Sequence, residues 1–190
     1  MTSGCNIAFL GSTRGSNLPG VVAGLKDFNI ITKSVISNKV DAGILDKAKS
    51  LGLPAIFIDS AEADFEHTLD QHLKSHQINL LVLIGFMKIL SPWFVSRWKN
   101  KIINVHPSLL PKHAGLMNLK VHQAVLDNSE QETGCSVHWV TDEVDAGEMV
   151  IQKTCAVLKT DTAEIVKQRV QALEIIALIE AIRKIAGENT

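Results

Sequence analysis

The sequence predicts an α/β fold with a Rossmann-like, open and mainly parallel sheet that carries helices on both faces. Two observations support this prediction: short, continuously apolar runs alternate with longer helical patterns, and the 190 residues suit a single domain. Strands that are covered on both faces of a parallel sheet are apolar throughout rather than at every second residue. Because no linker or internal repeat interrupts the pattern, we expect one domain over residues 1–190.

The first half of the chain alternates regularly between the two kinds of segment. Pro19 suits the first turn of its helix, where a backbone N–H is not needed, and Gly52 is typical of a position just beyond a helix end. The predicted strands are residues 7–10, 30–36, 55–58, 80–84 and 102–105, and the predicted helices are residues 18–28, 42–51, 63–75 and 91–98.

The regular alternation of apolar runs and helical patterns ends at Pro111. A helix near residues 121–126 is followed by two β-rich runs, residues 136–140 and 149–157. Asp161 and Glu164 have the spacing of a helix start, and a long amphipathic helix runs from there to about residue 185. Residues 116–121 depart from these periodic patterns and are expected to be mobile.

The composition argues against several classes of protein. The net charge of −1 gives no reason to expect a nucleic-acid partner. The three cysteines form no CxxC pair, so neither a disulfide framework nor a zinc site is predicted. Residues 80–87, the longest apolar run, are too short to cross a bilayer, and the N-terminus lacks the pattern of a signal peptide. We therefore expect a cytoplasmic protein without membrane contact.

The loop after the first strand is a candidate phosphate site. It contains Gly11, Gly15, Ser16 and Asn17 and leads directly into a helix. Glycine allows close approach of the backbone to a ligand, and a helix start offers free N–H groups to an anion. A plain tight turn with Ser16 or Asn17 as helix cap explains the same residues equally well. The loop is neither a Walker loop nor a GxGxxG motif, so ATP and NAD are not favoured.

The loop after the fourth strand, residues 84–92, is mostly apolar. At the carboxyl end of a parallel strand, such a loop can form the wall of a pocket for a flat aromatic ligand. For any single apolar side chain of this loop, burial in the core is the simpler interpretation.

The segment N-V-H-P-S-L-L-P, residues 104–111, is the most informative. Alternation along a strand places Asn104 and His106 on the same face, and Pro107 favours an extended His106 and ends the strand. Two polar side chains therefore project together from the end of a strand. A surface histidine in a satisfied turn is the alternative, but the two prolines favour a functional site.

Acidic residues follow the strand that contains His138. Asp142, Glu143 and Asp145 lie on a bend, and Asp145 precedes Ala146 and a glycine, where the backbone can turn inward. Most clusters of this kind are solvated turns. The pair of His72 and His76 has helical spacing for two metal ligands but lacks the H-E-x-x-H pattern, so no metal site is predicted.

The motif of residues 104–111 resembles that of the phosphoribosylglycinamide formyltransferases, which use 10-formyltetrahydrofolate. The resemblance extends in the same order to residues 15–18, 84–92, 133–138, 142–147 and 169–174. It implies the fold of that family and a role for each matching position. The implied catalytic residues are Asn104, His106 and Asp145, with His138 in support; the implied phosphate loop is Gly15, Ser16 and Asn17; the implied folate pocket includes Met87, Lys88, Ile89, Leu90, Val140 and Asp142; and Glu174 is implied to hold the ribose.

The chain departs from the family pattern at several of these places. Thr13 replaces a glycine of the phosphate loop, and Arg14 precedes Gly15. The loop after the third strand reads Ser60-Ala61-Glu62, where the family often has an arginine that binds phosphate. Lys88 stands where arginine is common, and a lysine lacks planar bidentate geometry toward a carboxylate. We expect Arg14 to supply the charge that the phosphate requires.

The resemblance implies formyl transfer from the reduced folate to the amine of 5-phosphoribosylglycinamide in purine synthesis, without a metal. We expect direct attack by the amine, with Asn104 and a protonated His106 stabilising the oxyanion and Asp145 keeping His106 charged. Another folate formyltransferase, acting on an aminoacyl-tRNA or a nucleotide sugar, and a non-catalytic folate- or nucleotide-binding domain are the alternatives. The partners are small molecules, and the chain is expected to be a monomer or a homodimer.

Overall fold

A computed structural model describes residues 4–187. The two ends of the predicted domain lie outside the described residues, as do Met1, Thr2 and Ser3, on which the signal-peptide prediction partly rests. The elements are β1 (Cys5–Leu10), α1 (Leu18–Gly24), β2 (Ile30–Ser37), α2 (Gly43–Ser50), β3 (Ala55–Phe57), α3 (Phe65–Ser75), β4 (Leu80–Leu83), α4 (Pro92–Arg97), β5 (Ile102–His106), α5 (Leu119–Asp127), β6 (Glu132–Trp139), β7 (Met149–Ala156) and α6 (Ala163–Ala186).

The strands form one seven-stranded sheet in the order β3-β2-β1-β4-β5-β6-β7. The pairs from β3 through to β5 are parallel, whereas β5 with β6 and β6 with β7 are antiparallel. This arrangement confirms the prediction of an open, mainly parallel α/β sheet. The antiparallel end of the sheet is formed by the part of the chain after Pro111, where the alternation of apolar runs and helical patterns ends.

Helices cover both faces of the sheet. Alternate residues of the central strands therefore pack into two different apolar clusters. Ile7 and Phe9 of β1 pack with α1, α2 and α6, whereas Ala8 and Leu10 pack with α3 and α4. Both sets are fully buried. Continuous apolarity in β4 and in residues 7–10 of β1 is therefore the result of burial on two sides.

Several boundaries differ from the predicted ones. Helix α1 ends at Gly24 rather than residue 28, and the chain reaches β2 through short turns, such as the one closed by the Phe28 N–H on the Leu25 carbonyl. Helix α5 begins at Leu119, two residues early. Strand β6 begins at Glu132, four residues before the predicted start, because Gly134 pairs within the ladder: a Cβ there would lie 1.9 Å from the Lys153 carbonyl oxygen.

Candidate active site

The order of the strands creates a switch point between β1 and β4. The chain moves from β1 outward to β2 and β3, then returns to β4 on the other side of β1. Ligands of open α/β sheets bind beyond the strands at this kind of crevice. The loops after β1 and β4 meet here: the Ser12 N–H donates to the Gly85 carbonyl at 3.1 Å, and the Met87 N–H donates to Ser12 Oγ at 2.9 Å.

Two glycines of these loops have conformations that other residues adopt only with strain. Gly15 has φ of 59°, and a Cβ at this position would lie 2.4 Å from Ile44 Cγ1. Gly85 also has φ of 59°, and its Cβ would lie 2.5 Å from Thr13 Oγ1. The absence of both side chains therefore lets the two loops pack closely against each other and against α2.

Asn104 and His106 project from the same face of β5, as their spacing predicts. In the antiparallel ladder, His138 of β6 lies opposite Asn104, and Ser136 lies opposite His106. Asn104 Nδ2 is 3.3 Å from His138 Nε2. His138 Nδ1 is 2.9 Å from the Trp139 carbonyl, which can only accept, so this nitrogen carries a hydrogen and Nε2 is free to accept from Asn104. His138 therefore orients the amide of Asn104.

Asp145 closes this group from the loop between β6 and β7. Its Oδ2 atom is 3.1 Å from His106 Nδ1 and accepts the Gly115 N–H at 2.9 Å, and its Oδ1 atom is 3.5 Å from His138 Nε2. Burial acts to raise the pKa of Asp145, but the adjacent His138 ring and the hydrogen bond from the Gly115 N–H outweigh it and hold the pKa below its ordinary value. An ionised Asp145 thus lies beside His106 and His138, and His138 in turn contacts Asn104, so the predicted residues are brought together in one cluster.

The protonation of His106 is subject to opposing effects. Its Nε2 atom is 3.1 Å from the carbonyl oxygen of His113, which requires a hydrogen on Nε2. Burial lowers the pKa of His106, and although the Asp145 carboxylate and the His113 carbonyl oppose this effect, the net direction is downward. Both ring nitrogens face acceptors, the His113 carbonyl at Nε2 and the Asp145 carboxylate at Nδ1, and these contacts favour the charged ring, whereas burial favours the neutral one. The expectation that Asp145 keeps His106 charged therefore stays a prediction.

The predicted phosphate loop is open to solvent on one side. Arg14 and Ser16 are exposed, whereas Asn17 is only 5% exposed. Within residues 4–187, Arg14 makes no ion pair, and the backbone N–H groups of Ser16 and Asn17 donate to no protein acceptor. The carbonyl oxygen of the Asn17 side chain is buried without a partner among these residues. This loop therefore offers a cation, two amides and one buried acceptor.

Glu174 reaches this loop from α6. Its Oε2 atom accepts a hydrogen bond from Asn17 Nδ2 at 2.6 Å. Burial raises the pKa of Glu174 to about 7, and the bond from Asn17 only partly offsets this effect. The contact depends on close packing of α1 on α6, since a Cβ on Gly20 would lie 2.9 Å from Ile175 Cδ1. The structure thus brings Glu174 and the predicted phosphate loop together.

The residues predicted for a folate pocket belong to two segments. Phe86 and Val140 pack against the same apolar cluster, which draws the loop after β4 toward the end of β6. Met87 and Ile89 are 37% and 73% exposed and present apolar surface, whereas Leu90 is buried in the core, so only its backbone is available to a ligand.

The two charged members of the predicted pocket behave differently. Asp142 is exposed on the loop before Asp145, and Thr141 Oγ1 donates to the carbonyl of Glu143 beside it. Lys88 Nζ donates to the Ser60 carbonyl at 2.9 Å and lies 5.4 Å from the centre of the Phe65 ring. Because the ammonium group of Lys88 has three donors, it can bind a carboxylate ligand beside the Ser60 carbonyl.

Three contributors to the site were missed by the sequence reasoning. The carbonyl of His113 and the N–H of Gly115 contact His106 and Asp145 through the backbone, and Ser12 joins the two loops at the switch point. Backbone contacts have no residue-type signal. Gly115 and Ser12 could have been noticed only as small residues in loops beside the motifs.

A separate cavity of about 290 Å³ lies at the opposite end of β4. Two of its three cations, Lys74 and Arg97, are paired with the buried Asp70, at 2.8 and 2.9 Å, and stand at the ends of α3 and α4. These positions are typical of structural cations. Residues 4–187 hold no group of three or more His, Cys, Asp or Glu side chains arranged for a metal ion, and no helix in that range is long and apolar enough to span a membrane.

Comparison with known proteins agrees with this geometry. A family model described as formyl transferase matches residues 5–182. The phosphoribosylglycinamide formyltransferase of Escherichia coli K12 is 39% identical over 176 residues, which cover 89% of this chain and 81% of that protein. The structure of the enzyme of the same name from Coxiella burnetii has a TM-score of 0.91 at 38% identity, covering 97% of this chain and 88% of the other.

The same similarity occurs within longer proteins. The trifunctional purine biosynthetic protein adenosine-3 of Chironomus tentans is 34% identical over 189 residues, but this chain spans only 14% of its length. The corresponding protein of Bos taurus is 36% identical, and the chain spans 19% of it. The match to the formyl transferase model and to single-enzyme relatives over most of their length decides the classification: the chain belongs to the formyl transferase family, among the phosphoribosylglycinamide formyltransferases.

Proposed function

We propose that this chain transfers the formyl group of 10-formyltetrahydrofolate to the amine of 5-phosphoribosylglycinamide by direct attack of the amine on the formyl carbon. The observation that carries the proposal is the convergence of Asn104, His106, His138 and Asp145 on one face of the sheet. A new C–N bond forms to the substrate amine, the bond from the formyl carbon to the folate nitrogen breaks, and one proton passes from the amine to that nitrogen.

Asn104 is the proposed donor to the negative charge that develops on the formyl oxygen. Its amide is held by His138 and is only partly buried, so one N–H can point toward a ligand. A donor that is fixed in advance stabilises such charge without reorganising during the reaction. Loss of one donor of this kind typically lowers the rate by about 10²–10³-fold.

His106 and Asp145 form the proposed proton route. The Nε2–H bond to His113 leaves Nδ1 as the site of exchange, and Nδ1 is 3.1 Å from Asp145. A lowered pKa makes His106 a base at neutral pH that can take the amine proton, directly or through water. The resulting imidazolium is stabilised by Asp145, can donate to the oxyanion, and can return the proton to the leaving folate nitrogen.

The loop after β1 is the proposed site for the phosphate of the substrate. The free N–H groups of Ser16 and Asn17 and the unpaired charge of Arg14 suit a phosphate, and Gly15 allows close approach. Glu174 is the proposed partner of the ribose hydroxyls, because a carboxylate can accept two hydrogen bonds at once.

The folate is proposed to lie between the loop after β4 and the segment from Val140 to Asp142. Met87 and Ile89 offer apolar surface to the pteridine ring, and backbone groups near Leu90 and Val140 offer hydrogen bonds. Lys88 is the proposed partner of a folate carboxylate. The protein is proposed to act as a cytoplasmic monomer or homodimer without a metal, nucleic acid or membrane.

The experiment is to incubate the protein with 10-formyltetrahydrofolate and 5-phosphoribosylglycinamide and to follow the absorbance of the released folate. Amines that lack either the glycinamide group or the phosphate serve as controls. Turnover that requires the ribosyl phosphate supports the proposal. Turnover only with an aminoacyl-tRNA or a nucleotide-sugar amine would assign a different formyltransferase, and binding of folate without turnover would indicate a non-catalytic domain.

A further inference from the structure

His113 has a backbone conformation that is unusual for its residue type. Its φ of 58° lies in the left-handed region, where a side chain costs about 1 kcal/mol. Within residues 4–187, the other non-glycine residues with positive φ are Asp145 and four that flank helix ends: Gln77, Asn100, Asn118 and Ser129. The two that flank no helix both contact His106, Asp145 at Nδ1 and His113 at Nε2, each at 3.1 Å. The strained positions therefore enclose the imidazole.

The side chain of His113 explains how this conformation is held. Its Nε2 atom is 2.6 Å from Glu130 Oε1, and the two side chains are 9% and 14% exposed. Lys112 Nζ approaches the same carboxylate at 3.1 Å from solvent. Partial burial acts to raise the pKa of Glu130, but the bonds from His113 and Lys112 hold it below its ordinary value, so the carboxylate is ionised at neutral pH.

We propose that His113 and Glu130 are positioning residues for His106: the bond between their side chains holds the His113 backbone so that its carbonyl fixes the ring of His106. This inference rests on the proposed role of His106 in the reaction. It adds that the hydrogen of the neutral ring is confined to Nε2 by a contact made from outside the cluster of Asn104, His138 and Asp145.

The arrangement has a chemical purpose at Nδ1. A neutral imidazole can carry its hydrogen on either nitrogen, and only the form with hydrogen on Nε2 leaves Nδ1 free to accept a proton beside Asp145. The His113 carbonyl, which accepts but never donates, keeps a hydrogen on Nε2 and so leaves Nδ1, beside Asp145, as the nitrogen that gains or loses the proton. The same loop also gives the Gly115 N–H to Asp145 at 2.9 Å, so both members of the proton route depend on residues 113–115.

The test compares Glu130→Ala with Lys112→Ala, which removes the exposed partner of the same carboxylate and serves as the matched control. We expect Glu130→Ala to lower kcat about ten-fold with KM for either substrate within about two-fold, because positioning affects the reaction more than binding. Lys112→Ala should stay near the wild type. Glu130→Gln, which still accepts a hydrogen bond, should recover part of the loss.

The ¹⁵N resonances of the His106 ring test the positioning role directly, because a substitution that only lowered stability would leave them unchanged. The wild type should show hydrogen on Nε2, and Glu130→Ala should show a mixture of the two forms. His113→Gly should retain more activity than His113→Ala, because glycine adopts the left-handed conformation without strain. Equal losses for Gly and Ala, or wild-type kcat and unchanged ring resonances in Glu130→Ala, would overturn the inference.

The same measurements separate this inference from the proposed function. If His106→Ala is fully active, the proposed role of His106 fails, while a change of its ring resonances in Glu130→Ala still supports the contact. If His106→Ala is inactive and Glu130→Ala matches Lys112→Ala, the function stands and the positioning role fails.

Discussion

Replacing Glu174 with glutamine is expected to stabilise the protein at alkaline pH while weakening substrate binding. The pKa of Glu174 is raised to about 7 from an ordinary 4.5, mainly by burial. Each pKa unit corresponds to about 1.36 kcal/mol, so ionised Glu174 destabilises the fold by up to about 3 kcal/mol. Because the side chain keeps some exposure, we expect an observed effect of about 2 kcal/mol.

The direction with pH follows from proton binding. Between pH 4.5 and 7 the folded chain holds the Glu174 proton more tightly than the unfolded chain, so the free energy of unfolding falls as pH rises through this window. Above pH 7 the full penalty remains. Glu174→Gln removes the ionisation and should therefore lie within about 1 kcal/mol of the wild type at pH 5 and exceed it more clearly at pH 8.

Urea unfolding at pH 5, 6, 7 and 8 measures this difference. With a slope of about 2 kcal/mol per molar urea, the midpoint of Glu174→Gln should lie about 1 M higher at pH 8. Glu180→Gln is the control on the same helix: Glu180 is more exposed and is paired with Lys153 at 2.8 Å, so its loss should change stability by less than about 1 kcal/mol. Equal midpoints for Glu174→Gln and wild type at pH 8 would refute the reasoning.

Kinetics complete the comparison. If Glu174 holds the ribose, Glu174→Gln should raise KM for the ribosyl phosphate substrate and leave KM for the folate unchanged. A variant that gains stability and loses affinity would show that the buried carboxylate is retained for binding, at the expense of stability.

Four further outcomes are expected. Asn104→Ala should lower kcat about 10²–10³-fold with little change in the circular dichroism spectrum, and near-normal turnover would exclude its amide as the oxyanion donor. Arg14→Ala should raise KM for the phosphorylated substrate about ten-fold, an effect that added salt in the wild type should imitate; an unchanged KM would refute the role of Arg14. Gly15→Ala should destabilise the fold by about 1–3 kcal/mol in urea unfolding, because φ of 59° and the contact with Ile44 both disfavour a side chain. Burial, reinforced by Lys167, lowers the pKa of His122 to about 4, so the free energy of unfolding should fall by about 3 kcal/mol as pH drops from 6.5 to 4. His122→Gln should remove most of this acid sensitivity in urea unfolding. If the pH dependence of stability is unaltered, other groups cause it.

The fold was largely predictable from the sequence because burial leaves a direct pattern. Strand β4 and residues 7–10 of β1 are apolar throughout since both of their sides face a helix layer. Boundaries were predicted less well where backbone geometry decides them. The end of α1 at Gly24 and the early start of β6 at Glu132 depend on packing against α6 and β7, which local sequence does not record.

The candidate site was predictable to the extent that its residues share a strand or a motif. Alternation placed Asn104 and His106 together, and the resemblance to a known family supplied Asp145, His138 and Glu174. The protonation of His106 could not be predicted, because it depends on the depth of burial and on the His113 carbonyl that accepts a hydrogen bond from its ring.

The antiparallel pairing of β5 and β6 makes the site sensitive to insertions, which its loops would tolerate. His138 faces Asn104 because these two residues pair in the antiparallel register. Insertion of one residue into β6 upstream of this pair would turn Val137, now in the core, toward Asn104 and drive His138 into the apolar layer beneath α6. Length variation in this family should therefore collect in the connections and spare the interior of this hairpin.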